Sequence, residues 1–184
     1  MFWLWFSLGV LILIALPFLR LLIKRLMLAG KLKKALKEVG GQRYFCHRLW
    51  LFSSKKDARC DFCVKVGEKT YAVKLFTVLF RLFVLTFSKE SYEITYHIPM
   101  FSRWGSCVTS PFSGKAKPLP TFAPADVPEG AGEIIPVLLV HPACFELKRR
   151  IGVRETEIAH VGDRVGDWEV QSLRPFLEKI GRKE

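Results

Sequence analysis

From Phe2 to Leu19 the chain is apolar at every position except Ser7, Gly9 and Pro17, and its first charge is Arg20. A helix of these 18 residues rises roughly 27 Å, close to the ~30 Å hydrocarbon thickness of a bilayer. Leu21, Leu22 and Ile23 lengthen the run. Trp3 and Trp5 suit the interfacial aromatic belt at the far end of such a span. A cleaved secretory signal would carry positive charge before the apolar run and small residues after it. This chain has neither, since Leu22-Ile23-Lys24-Arg25 follows directly. The pattern predicts a transmembrane helix over residues 1–24.

Periodicity then changes. Leu22, Leu26, Ala29, Leu32, Leu36 and Val39 recur at steps of three or four, with lysines on the other side. This predicts a basic amphipathic juxtamembrane helix over 25–41, ended by Gly40-Gly41, where a left-handed cap is available. It is either one helix leaving the membrane or a second piece lying in the interface.

Beyond Gly41 the period falls to two. Residues 60–66 and 70–76 alternate about the turn Gly67-Glu68-Lys69, and residues 82–87 and 92–98 alternate about Ser88-Lys89-Glu90-Ser91. Both read as β-hairpins. Residues 44–52, 134–140, 144–150, 154–161 and 168–171 read as further strands, with Pro136 assigning the start of its strand to an edge or bulge. Cys60 and Cys63, three apart in a strand, are expected on opposite faces. Residues 99–136 are rich in Pro, Gly and Ser and read as a surface loop. Ser172 caps a final helix over 173–180, with Pro175 tolerated in its first turn. The predicted fold is an N-terminal transmembrane α-helix plus a mainly-β (β-rich α+β) soluble domain over 42–184, built of antiparallel hairpins with one short C-terminal helix. Residues 75–87 are also apolar but too short for a second helical pass, and Arg81 stands at their centre.

Charge adds an orientation. Residues 1–40 carry seven Lys/Arg against one acid, residues 41–118 thirteen against five, and residues 119–184 nine against eleven, within a net charge of +12. Arg20, Lys24, Arg25, Lys31, Lys33, Lys34 and Lys37 all follow the apolar run. By the positive-inside rule the N-terminus is expected outside and the domain in the cytoplasm. These seven cations form the expected membrane-surface set, facing the lipid of an anionic leaflet at about 1 kcal/mol per cation. Half the residues are hydrophobic, which excludes a disordered chain. The basic surface carries no zinc-finger, helix-turn-helix or RNA-binding aromatic motif, so nucleic acid is not the expected partner.

Candidate chemistry is sparse. Cys46, Cys60, Cys63, Cys107 and Cys144 are an odd set, consistent with cytoplasmic thiols. Cys60-Asp61-Phe62-Cys63 has metal-ligand spacing without a second pair downstream. His47, His97, His141 and His160 accompany no nucleophile motif. No metal site and no cofactor are expected. Asp61 and Lys74 stand roughly as the metal-binding acid and the lysine of a restriction-endonuclease-like core, but Ala72 occupies the position of the second acid. The sequence therefore predicts a single-pass membrane protein whose domain is a non-catalytic binding or scaffold module with a protein partner at the membrane surface. Two alternatives are a membrane-tethered, degenerate nuclease- or hydrolase-like domain using Asp61 and Lys74, and a ligand- or lipid-binding β-barrel.

Overall fold

The computed structural model describes residues 2–46, 50–52, 59–78, 83–96, 116–128, 130, 132–144, 146–152 and 155–181. Arg81, His47, His97 and Cys107 lie outside them, as do parts of the predicted strands at 44–52, 92–98 and 154–161 and much of the predicted loop.

Phe2–Val39 is one continuous helix, α1, with Pro17 inside it and no break near residue 24. It ends where the glycine pair predicted. Gly40 has φ +70°, and the Gly41 amide donates to the Leu36 carbonyl at 3.0 Å, which is the Schellman closure. Gly41 is then fixed by space: a Cβ there would stand 2.7 Å from Leu36 Cδ2 and 3.1 Å from the Lys65 carbonyl.

Among the described residues eleven strands follow, in two sheets, with a helix α2 at Leu173–Gly181. The first sheet holds β1 (Gln42–Phe45), β2 (Phe62–Val66), β3 (Lys69–Thr77), β7 (Glu133–His141), β11 (Trp168–Ser172) and β10 (Arg164–Val165) in that spatial order. The second holds β6 (Lys117–Pro118), β5 (Ser91–Tyr96), β4 (Phe83–Phe87), β8 (Glu146–Arg150) and β9 (Thr156–Ile158). Both predicted hairpins form. Val66 pairs with Lys69 across a two-residue turn with Gly67 at φ +60°, the conformation a II′ turn asks of its first residue. Phe87 pairs with Tyr92 across the serine-flanked turn.

Three pairings are parallel, which the hairpin pattern does not predict: β3 with β7, β7 with β11, and β4 with β8. The chain leaves β3 for β4, and β7 for β8, each time stepping from the first sheet to the second, so the same two segments are parallel neighbours in both. Pro136 sits opposite Ala72, while pairing with β11 begins only at Val137. The start of β7 is thus an edge on that side, where a missing N–H interrupts no ladder. The predicted strand at 44–52 is shorter than expected: β1 ends at Phe45 and Trp50–Phe52 is a 3₁₀ turn.

The layers are helices, first sheet, second sheet. Alternation along β3 sends Tyr71, Val73 and Leu75 toward Leu28, Leu32 and Leu36 of α1 and Phe176 and Ile180 of α2. It sends Ala72 and Phe76 toward Phe83, Leu85, Phe87 and Tyr92 of the second sheet. Each of the three α1 leucines contributes about 1.5–3 kcal/mol by leaving water, so the second half of α1 is part of the body. The described part of the Pro-rich stretch also takes part in the core. Leu119, Phe122 and Val127 pack on the inter-sheet layer, and the Trp168 indole donates to the Pro120 carbonyl at 2.6 Å.

Candidate functional site

The α1 row that enters the body is Arg25, Leu28, Leu32 and Leu36, spaced three, four and four. The predicted apolar stripe is therefore rotated: Leu26 is exposed, Leu28 takes its place, and a cation leads the row. Arg25 is only 6% accessible. It is turned inward, unlike the exposed Arg20, Lys31, Lys33, Lys34 and Lys37. Its Nε donates to Thr77 Oγ1 at 3.1 Å and its Nη1 to the Trp50 carbonyl at 2.6 Å. The Asp61 charge acts on it favourably, offsetting part of the hydration lost on burial. Beside it, Lys24 Nζ donates to the Val78 carbonyl at 3.0 Å. The end of β3, the 3₁₀ turn and the start of β2 are thereby tied to α1 where its apolar half departs.

Asp61 owes its position to an irregular ladder. Its amide donates to the carbonyl of Val73, the residue Phe62 pairs with, so two residues oppose one as in a β-bulge. Asp61 is fully buried, and its Oδ2 accepts the Leu75 amide at 2.6 Å. The bulge also corrects an expectation about the cysteines. Cys60 and Cys63 lie on one side, in the inter-sheet core, with Phe62 on the other. Cys63 Sγ stands 3.4 Å from Cys46 Sγ, all in the thiol form. Cys144 packs on the same layer, and burial pushes its thiol pKa up.

Lys74 is fully buried as well, and its Nζ donates to the Arg59 carbonyl at 2.8 Å. Alternation places it on the inter-sheet side between Ala72 and Phe76, whereas Asp61 is engaged with Leu75 and Arg25. Asp61 and Lys74 are both fully buried, so neither is presented to solvent. Among the described residues no three of His, Cys, Asp and Glu stand close enough to hold an ion. Two acidic residues near the end of the chain pair with neighbouring cations: Glu157 with Arg149 directly across β8–β9 at 2.5 Å, and Glu169 with Lys179 at 2.6 Å.

A cleft of about 750 Å³ lies at the other end of β3, between the Gly67 turn, Gly132 and the end of α2. Lys65, Lys69, Lys179, Glu68, Glu133 and Tyr71 line it. The two sheets are each open in their described strand order, and the aromatic side chains of β3, β4 and β5 fill the space between them.

Reading the sequence alone misses Thr77, Trp50 and the inward turn of Arg25. The available signal is the arginine at a core-facing helical position three residues before Leu28. Compared with protein-family models, with curated proteins and with solved structures, the chain matches none.

Proposed function

We propose that this chain is a single-pass membrane protein, N-terminus outside, whose cytoplasmic body is a non-catalytic binding module held at an anionic leaflet, with a protein partner. The observation that carries the reading is α1 itself. Its most apolar 18-residue window has a mean hydropathy of 2.5 and none of it is buried in the body, yet the same helix continues into the core. This one helix is long and apolar enough to cross a membrane. The exposed lysines at 31, 33, 34 and 37 lie just past the span, where the positive-inside rule favours the cytoplasm. The cleft beside the Gly67 turn opens at the far end of the body, away from the helix exit and accessible to a soluble partner.

Detergent-free fractionation tests the anchor. The intact chain is expected in the membrane pellet after alkaline washing, with the body digested by protease added to inside-out vesicles and protected in right-side-out ones. Recovery in the soluble fraction overturns the anchor, and the reverse protection pattern overturns the orientation.

A further inference from the structure

α1 runs antiparallel to β3, because Lys24 meets Val78 at the end of that strand while Leu36 meets Gly41 beside Lys65 and Val66 at its start. The body therefore has an end near the helix exit and an end far from it. At the near end the 3₁₀ turn is held against α1 by the bond from Arg25 to Trp50. Trp50 is buried and stacks on Phe45, their rings 4.9 Å apart, and Arg43 lies over the Phe45 ring at 4.6 Å. The turn's last residue, Phe52, points outward and is 72% accessible, among the most exposed large apolar side chains outside the apolar half of α1. Phe45 and, on α1, Ile23, Leu26 and Met27 are exposed too.

Height along α1 gives this patch its meaning. If Phe2–Leu22 fills the hydrocarbon, Arg25 lies about 4–5 Å beyond its edge. That is the depth at which aromatic side chains and amphipathic surfaces settle in the headgroup region. We infer that the Phe45–Trp50–Phe52 corner is a second membrane contact, with Phe52 seated in the lipid interface beside the helix exit. Lys24 and, over the Phe45 ring, Arg43 supply cations beside the patch, and lipid is the occupant because the patch adjoins the apolar half of α1.

The inference rests on the membrane reading, and one experiment separates the two. Phe52, Ile12 and Ile134 are replaced in turn by p-benzoylphenylalanine in the full chain, in vesicles of phosphatidylethanolamine and phosphatidylglycerol. Ile134 is a control, exposed and at the far end, since it pairs with Thr70 at the start of β3. On irradiation, lipid adducts are expected at 12 and 52, the yield at 52 exceeding that at 134 about tenfold, as for a site in the interface against one in water. Adducts at 12 with none at 52, equal yields at 52 and 134, or a 52-linked dimer in place of a lipid adduct each overturn the seat. Absence of adducts at 12 overturns the anchor and the seat with it.

Discussion

The two halves of α1 share one backbone and a similar wealth of leucine, yet they answer to different surroundings. Residues 2–19 have apolar side chains all round and expose nearly all those described, from Trp3 to Leu19. Residues 25–39 bury one row and turn lysines outward. The difference lies in where charge is placed. The first half has none, while the second admits a cation to the interior only where Thr77, the Trp50 carbonyl and Asp61 receive it. An apolar helix thus reads as lipid-facing or core-facing according to its charges more than its leucines.

The comparison breaks most sharply under a charge inserted in either half. Leu32→Asp buries an unpaired carboxylate among Val64, Val73 and Phe176 and is expected to prevent folding of the body, with loss of the cooperative transition in urea. Leu11→Asp leaves that transition in place and weakens membrane insertion by about 2.5–3.5 kcal/mol, seen as a shift of the chain to the soluble fraction. Next in size is Arg25→Met. It removes the buried cation that Asp61 acts on and the donor to the Trp50 carbonyl, and is expected to cost about 3 kcal/mol in urea denaturation. Arg25→Met with Asp61→Asn recovers part of that loss, and Arg20→Gln, on an exposed position, costs less than about 0.5 kcal/mol.

Two glycines in and beside the second half predict changes of opposite sign. Gly30 is exposed, with open space at its Cβ position, so Gly30→Ala raises stability by about 1 kcal/mol. Gly40 holds φ +70°, and Gly40→Ala lowers it by about 1 kcal/mol. Equal effects would show that α1 does not continue into the body as described. The smallest effect lies in the body's core. The Tyr92 hydroxyl is buried with no hydrogen-bond partner among the described residues, against the Phe76 ring at 4.6 Å. Tyr92→Phe is expected to be neutral or to stabilise by up to about 1 kcal/mol. Burial also pushes the Tyr92 pKa up to about 12 from 10. The folded state therefore holds that proton more tightly than the unfolded one. Its contribution is complete below pH 10 and declines as the pH rises toward 12, a dependence Tyr92→Phe removes.

The local pattern carried the elements well. Alternation about Gly67 and about the Ser88–Ser91 turn fixed two hairpins, and the uncharged run marked the long helix. Pairing was another matter. Lys69 lies opposite Glu133, a partner 64 residues away along the chain, and no local periodicity specifies such a parallel neighbour. The continuous apolar run at 134–140 did announce a strand covered on both sides, which β7 is. At the junction one bulge defeated the reading of Cys60 and Cys63. A two-residue count assumes an unbroken ladder, and the extra residue at Asp61 reverses the face of everything before it. In the sequence Arg25 groups with the other cations, because charge on a helix ordinarily seeks water. Only the positions of Thr77, Trp50 and Asp61, brought there by tertiary structure, show why this one does not.

Because α1 crosses from its exposed half to its buried half without a break, the body has no swivel at the point of attachment. In a bilayer it is a lever arm fixed to its axle. With β3 about 30 Å long, a tilt of about 20°, ordinary for a membrane helix, carries the Gly67 turn and its cleft roughly 10 Å sideways. In a bilayer, changes in thickness, which act by tilting such helices, then become lateral displacements of that cleft. Pro17, lying on the far side of the junction, is where that motion can be bent without disturbing the core.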